Sequence, residues 1–419
     1  MRKRIVILGA GTWGVALSRT FSRNGHDVTV WSKFLQEIEQ LNRTRTHPNL
    51  PGMVIPDTVS FTNDLSVCAD CDALLFAVPS VFVRETAERV LPFLSDHQLI
   101  IDVAKGIEAD TLLTMTQIIG SVLQEKHPRL VALSGPTHAE EVALDMPTSI
   151  VAAGHQADAT LVQDLLMNTC MRTYTNRDVL GVELCGALKN IVALASGISA
   201  GLGYGDNSRA ALITRGMVEI TRLGVAMGCL EQTFYGLAGI GDLIVTATSQ
   251  HSRNNRCGLL IGQGMTPADA VRQVGMVVEG VNAIPAAVQL SQRYGVEMPI
   301  IAGMDAIINR GVAPADIALA LMTRQKKPEY GTLKPATKEL PHRVAIIGAF
   351  DRMDYKALHL LRRAAALGDE LLVGLLTEEG CAALQLPVPV QTFDARREAL
   401  ELLRNIVTVL PVGDKITLP

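Results

Sequence analysis

Six residues near the N-terminus, Gly9-Ala10-Gly11-Thr12-Trp13-Gly14, have the spacing of a loop that cradles phosphate. An apolar run, Arg4–Leu8, precedes them and an amphipathic stretch follows, so the loop reads as a strand-to-helix turn. In that setting the first glycine permits the turn and the second lets backbone approach a pyrophosphate. The third lets the helix pack on the strand. The helix start adds free N–H groups and a positive dipole end. The chemistry expected is the binding of a nicotinamide dinucleotide and movement of a hydride. A glycine-rich turn without ligand is the alternative.

The second strand should end at the residue that reads the ribose. It runs Val30-Trp31-Ser32-Lys33, with no acid at its end to hold a 2′-hydroxyl. Lys33 would attract a 2′-phosphate and Ser32 could hydrogen-bond it. NADP is therefore expected to be accepted as well as NAD, with a preference for it left open. The alternative is an ordinary surface lysine.

Further residues suggest the substrate. Lys105 follows a buried run in Asp102-Val-Ala-Lys105-Gly-Ile-Glu108, and Ser134-Gly135-Pro136-Thr137-His138-Ala139 follows another. Ligands of doubly wound sheets sit at such strand ends, where a Gly-Pro-Thr turn can aim N–H groups and a hydroxyl at an anion. Lys189 has Cys185, Gly186, Val192 and Ala193 as its neighbours three and four residues away. Burial on that face would lower its pKa and make it an acid–base group. A lysine snorkelling at a domain interface is the alternative. Asp242, at a glycine-rich helix start, reads as an N-cap or as the orienter of Lys189 or of substrate hydroxyls. Ser252-Arg253-Asn254-Asn255-Arg256 at another helix start suits a phosphate or carboxylate, or is a solvated cap.

These residues need a frame. Arg4–Leu8, Asp27–Trp31, Ala73–Val78, Leu99–Val103, Leu130–Leu133, Ser149–Ala153 and Arg172–Tyr174 are continuous apolar runs, the pattern of buried parallel strands. The spacers accommodate crossover helices, so residues 1–178 read as an α/β, Rossmann-type doubly wound domain. From 179 to 325 strand signals vanish. Val182–Leu202, Ser208–Met227, Gly241–Thr248, Ala268–Val274, Gly280–Tyr294, Ile301–Arg310 and Ala315–Thr323 read as helices of an all-α domain. Residues 326–341, rich in Lys and Pro, read as a linker, and 342–419 as a small β-α-β-α-β unit.

The chain has 419 residues and a formal charge of −4, which gives no basic face for nucleic acid. Seven dispersed cysteines fit free thiols in a reducing cytosol, and the pair Cys68 and Cys71 lacks the partners of a metal site. Glycines interrupt the N-terminal apolar run, so it does not read as a signal peptide. No uninterrupted apolar stretch is long enough to span a bilayer. A cytoplasmic protein without a metal is expected.

Taken together, the segments resemble the bacterial NAD(P)-dependent glycerol-3-phosphate dehydrogenases over residues 3–325. The likeness rests on the glycine loop, Asn24-Gly-His, Val78-Pro-Ser80, Ala104-Lys-Gly-Ile-Glu108, Ser134-Gly-Pro-Thr-His-Ala139 and Ala187-Leu-Lys-Asn190. It extends through Ala211-Leu-Ile-Thr-Arg-Gly216, Gly239-Ile-Gly-Asp242, Ser252-Arg-Asn254 and Val278-Glu-Gly280. The resemblance implies interconversion of glycerol 3-phosphate and dihydroxyacetone phosphate, supplying phospholipid synthesis, in a homodimer. It implies Lys189 as general acid–base and Lys105 in contact with cofactor and substrate. Gly135 and Thr137 would hold substrate and Ala139 would touch cofactor. Asp242, Ser252, Arg253 and Asn254 would complete the pocket, Arg253 also reaching the dinucleotide. Val277 and Glu279 would close over the cofactor beside Gly9, Gly11, Thr12, Trp13, Gly14 and Lys33. Thr12 stands where the family usually has Ser, and Lys33 where it often has His or Arg. Another β-hydroxy dehydrogenase on this plan is the same-class alternative.

The last unit resembles a truncated glycerol-3-phosphate cytidylyltransferase. The likeness lies in Val344-Ala-Ile-Ile-Gly-Ala-Phe-Asp351, residues 360–373 and Ala395-Arg-Arg-Glu-Ala-Leu400. Asp354, Tyr355, Lys356 and Ala357 occupy the positions of that family's His-x-Gly-His motif, so both histidines are missing. An acid there would repel a triphosphate. An inactive domain is expected, a bifunctional enzyme being the alternative.

Overall fold

The computed structural model describes residues 2–69, 71–326, 329, 343–365, 367–368, 370–403 and 406–413. Of the expected linker 326–341, all but Lys326 and Glu329 lie outside the described residues. The chain forms two compact units, Met1–Arg324 and Gln325–Pro419.

The first unit begins with alternating strands and helices: β1 (Arg4–Leu8), α1 (Thr12–Arg23), β2 (Asp27–Trp31), α2 (Leu35–Thr44), β3 (Val59–Thr62) and β4 (Ala73–Phe76). There follow α3 (Val83–Val90), β5 (Leu99–Asp102), α4 (Met115–Val122), β6 (Arg129–Ser134), α5 (Ala139–Ala143), β7 (Thr148–Gly154), α6 (Gln156–Leu166) and β8 (Met171–Asn176). The sheet order is β3-β2-β1-β4-β5-β6-β7-β8. The crossover reverses between β1 and β4, so the ends of these two strands form the crevice where a dinucleotide binds. Val6, Ile7, Leu8, Leu74, Leu75 and Phe76 are all buried, because helices cover both faces.

Two expectations need correction. β3 was not among the expected strands, since Val-Ser-Phe-Thr is short and alternates in burial. β7 pairs antiparallel with β6, not parallel. The thirteen or so residues joining them hold only the five-residue α5, and a parallel return needs roughly a dozen residues with a full crossover helix. Instead α5 packs near α1. Asp145, just beyond it, accepts from Arg19 at 2.5 and 2.7 Å and also pairs with Arg23.

The helical half contains α7 (Val179–Gly201), α8 (Asp206–Ala226), α9 (Glu231–Phe234), α10 (Asp242–Thr248), α11 (Arg253–Gly262), α12 (Pro267–Val274), α13 (Glu279–Tyr294), α14 (Pro299–Arg310) and α15 (Pro314–Met322). Helix α9 and a π turn over Leu237–Gly241 are not among the expected elements, while α11 begins at the helix start expected at Ser252–Arg253. The boundary expected at 178 lies within the first compact unit, where α7 starts against the sheet. Val182 joins Ala132, Val151 and Ala153 in one apolar cluster.

Helix α7 is the axis of this half. By length and composition it could cross a membrane, yet its residues from Gly181 to Ser199 are buried inside the protein. Asp178 caps it, accepting from Gly181 N at 2.9 Å, and also accepts from Leu230 N and Thr233 Oγ1. Its C-terminal turns touch α11 backbone to backbone. A Cβ at Gly258 would lie 2.1 Å from Leu194 O, and one at Gly197 2.1 Å from Asn255 O. Only glycine permits that approach.

The second unit holds β9 (Arg343–Gly348), α16 (Tyr355–Ala365), β10 (Glu370–Leu376), α17 (Glu378–Ala383), α18 (Phe393–Glu401) and β11 (Ile406–Val412). Its strands form a parallel sheet in the order β11-β10-β9. Arg396 is buried and ties three segments together by donating to the carbonyls of Ala349, Leu376 and Gln391.

Gly258→Ala forces a methyl group into the backbone of α7 and is expected to cost about 3 kcal/mol. Urea denaturation of the two proteins measures it. A loss below about 0.5 kcal/mol would show that the helices can separate freely.

Candidate active site

The glycine loop stands at the end of β1. Gly9 has φ +119°, and a Cβ there would lie 2.6 Å from Ala77 O, so the turn excludes any other residue. Gly11, by contrast, has open space where its Cβ would be. Gly11 is also the N-cap of α1 and brings no side-chain cap. The N–H groups of Thr12, Trp13 and Gly14 therefore face outward without intrahelical acceptors. This open, positively polarised cradle fits a pyrophosphate.

The chemistry-bearing side chains meet where the sheet adjoins α7. Lys105, after β5, donates from Nζ to Asp242 Oδ2 at 2.7 Å and to Gly135 O at 3.3 Å. Lys189, from α7, pairs with Asp242 Oδ1 and donates to Thr246 Oγ1 at 2.5 Å. Thr246 Oγ1 in turn donates to Asp242 O at 2.6 Å. Asp242 is 1% and Lys189 4% exposed, so two lysines share one carboxylate almost out of water. Asp242 thus orients both lysines as well as opening α10. Burial, helped by the nearby Lys105 charge and opposed by the Asp242 carboxylate, lowers the Lys189 pKa to about 7. For Asp242 burial works upward, but the two lysine charges outweigh it and hold the carboxyl below its ordinary value.

Gly135 and Thr137 flank this cluster in the turn after β6, Thr137 Oγ1 donating to Gly135 O at 3.2 Å. Ala139 opens α5 and is buried. Ser252 caps α11 by accepting from Asn255 N at 3.2 Å. Arg253, in the first turn of α11, is half-buried and makes no ion pair with any described residue. Asn254 is turned inward. It donates to Asn190 Oδ1 at 2.9 Å and accepts from Gly280 N at 2.8 Å, binding the start of α13 to α7. Glu279, beside Val277 and Val278, accepts from Ser80 N and Ser80 Oγ at 3.2 and 2.6 Å. That joins the α13 start to the end of β4. Lys33 is exposed, its Nζ 4.9 Å from the Phe82 ring centroid and 3.9 Å from Glu85 Oε1.

Several participants were not singled out from sequence. Thr246 lies one helical turn after Asp242, and that spacing was the available signal. Glu183, on α7, accepts from Thr114 Oγ1, Thr116 N and Thr116 Oγ1 at 2.6–2.7 Å, fastening α7 to the start of α4. Burial raises its pKa, and burial with the Glu183 charge pushes Asp102 well above the ordinary range. The Cys68 and Cys71 thiols are each pushed up to about 12 by burial, which makes them poor nucleophiles. Among the described residues no cluster of three His, Cys, Asp or Glu could hold a metal.

The fold and the site define a dinucleotide-linked dehydrogenase with a sheet half and a helical half. Residues 4–160 match the family described as NAD-dependent glycerol-3-phosphate dehydrogenase N-terminus, and 178–319 the C-terminus of the same family. The chain belongs to the NAD-dependent glycerol-3-phosphate dehydrogenases. It is 60% identical over 332 residues to glycerol-3-phosphate dehydrogenase [NAD(P)+] 2 of Lactobacillus delbrueckii subsp. bulgaricus, covering 78% of this chain and 98% of that one. It is 46% identical over 329 residues to glycerol-3-phosphate dehydrogenase [NAD(P)+] of Fusobacterium nucleatum, covering 78% and 98%. The crystal structure of glycerol-3-phosphate dehydrogenase from Coxiella burnetii superposes with a TM-score of 0.74 at 33% identity, covering 77% and 99%. The second unit lies beyond the family matches, which end at residue 319.

Replacing Asp242 by Asn removes the anion that the two buried lysines share and drives Lys189 further toward its neutral form. Breaking a buried pair in this way is expected to cost about 3 kcal/mol at neutral pH, read from urea denaturation. An unchanged midpoint would remove Asp242 as the organiser of the cluster.

Proposed function

We propose that this chain is an NAD(P)-dependent sn-glycerol-3-phosphate dehydrogenase in which Lys189 is the general acid–base. The observation that carries the reading is the buried Lys189–Asp242–Lys105 cluster, in a chain whose dinucleotide loop and relatives belong to that activity. NAD or NADP, when bound, would supply the hydride acceptor or donor for C2. When glycerol 3-phosphate is oxidised, Lys189 Nζ takes the proton of the C2 hydroxyl. When dihydroxyacetone phosphate is reduced, it returns one to the new alkoxide. Asp242 keeps Lys189 aimed, and Thr246 shares that work. Lys105, with Gly135 and Thr137 beside it, holds the carbonyl end of the substrate. Arg253, unpaired at the start of α11, receives the phosphate and reaches toward the dinucleotide, beside Ser252 and Asn254. Gly9, Gly11, Thr12, Trp13 and Gly14 bind the pyrophosphate, Lys33 the adenosine end, and Ala139, Val277 and Glu279 the rest of the cofactor. We place the enzyme in the cytoplasm as a homodimer making glycerol 3-phosphate for phospholipid synthesis.

The second unit, in this reading, is a degenerate cytidylyltransferase-like domain without catalysis. Asp354 supports this, because it accepts from Ala357 N at 2.9 Å at the start of α16. A carboxylate there occupies the helix terminus that a phosphate would need. With radiolabelled CTP and glycerol 3-phosphate, no pyrophosphate release is expected. Release would restore the bifunctional alternative.

The pH profiles test the role of Lys189. Its pKa of about 7 means that it is neutral, and able to accept a proton, above that pH. kcat/KM for glycerol 3-phosphate oxidation should therefore rise through about pH 7, and that for dihydroxyacetone phosphate reduction should fall there. Lys189→Ala should abolish turnover in both directions while cofactor still binds. Near-normal turnover in that variant would remove Lys189 from the mechanism.

A further inference from the structure

The end of β2 holds an acid that the linear sequence conceals. In a dinucleotide fold the residue closing β2 reads the adenosine ribose, an acid accepting from its 2′-hydroxyl. Here β2 closes at Trp31, and Ser32 and Lys33 follow. The first turn of α2 folds back, however, and Ser32 Oγ donates to Glu37 Oε2 at 2.5 Å. Ser32 is itself fixed on both sides. Its N–H donates to Thr62 O at 3.1 Å, and its Oγ accepts from Phe34 N at 3.2 Å. The carboxylate is thus tethered to the residue immediately after β2, although it lies five positions further along the chain.

The space beside it is open. Glu37 lines a cavity of about 360 Å³ together with Phe34, Gln40, His47 and Pro48. Burial lowers the His47 pKa, so that ring brings no cation to the cavity at neutral pH. Lys33, a cation at this strand end, shares Glu85 with Arg89 and lies over Phe82. Beyond the end of β2, then, stand two opposed charges, the Glu37 carboxylate tied to Ser32 and the Lys33 ammonium.

We propose that Glu37 is a specificity-determining residue of the dinucleotide site, accepting from the adenosine 2′-hydroxyl and repelling a 2′-phosphate, in opposition to Lys33. The proposal rests on the dinucleotide site described under the proposed function. It assigns the discrimination between NADH and NADPH to the opposed charges of two residues on different elements. Both cofactors are used, and their ratio is set by which charge lies nearer the 2′ position.

The test is the ratio of kcat/KM for NADPH to that for NADH, measured with dihydroxyacetone phosphate on the full chain. Glu37→Gln should raise the ratio at least about tenfold, chiefly through KM for NADPH. Lys33→Met should lower it. Ser32→Ala, which keeps the acid but frees it, should raise it by a smaller factor. Calorimetric binding of ADP-ribose and 2′-phospho-ADP-ribose to the same proteins should show the same reordering without turnover. A ratio that stays within about twofold in both Glu37→Gln and Ser32→Ala, or that falls, overturns the proposal. If the wild-type chain turns over neither cofactor, yet Glu37→Gln still reorders the two ADP-riboses, the dehydrogenase reading fails and the role of Glu37 stands.

Discussion

One carboxylate shared by two lysines governs the site. Asp242 takes an ammonium on each oxygen, from Lys105 on the sheet half and Lys189 on the helical half, with almost no access to water. One anion against two cations leaves the cluster with an excess of positive charge. Such an excess is costly inside a protein and persists only when geometry is good and further hydrogen bonds support it. Thr246 and the Gly135 carbonyl supply that support. The same excess suits a phosphorylated substrate whose C2 oxygen gains negative charge during reduction, and it places a lysine near neutrality where proton transfer is efficient.

The surrounding fold keeps the three groups in register. α7 carries Lys189 along the buried axis of the helical half, and glycine contacts with α11 set its depth. β5 ends just before Lys105, so a sheet edge aims that side chain. The π turn at Leu237–Gly241 delivers Asp242 at the first position of α10. Asn254 and Glu279 connect the rim of the pocket to α7 and to the end of β4. Each functional group therefore stands at the end of an element or on a buried helix, where backbone packing limits its motion.

What sequence makes legible here is what depends on local pattern. The glycine loop, the continuous apolar strands and the small neighbours of Lys189 are contiguous signals, and the architecture follows from them. What it conceals depends on pairing through space. β3 is too short and too alternating to stand out, and its place is fixed only by pairing with β2. The antiparallel β7 reflects a missing crossover helix rather than any property of its own residues. Thr246, Glu183 and Glu37 act through partners far along the chain or one turn back. An apparent absence of acid after β2 was a statement about adjacency, which the fold of α2 reverses. Asn254 likewise bonds through space, to Asn190 and to Gly280 N.

Glu183 carries a consequence for how the sheet half and the helical half stay joined. It fastens α7 to the cofactor-binding half at α4, only six residues before Lys189, or about 9 Å along the helix axis. The segment around residue 178, where composition changes, is thus held by the side-chain hydrogen bonds of Asp178 and of Glu183. Swinging one half against the other would tear three hydrogen bonds from a buried carboxylate. At the lip of the cleft, the Ser80–Glu279 bridge ties the start of α13 to the segment after β4.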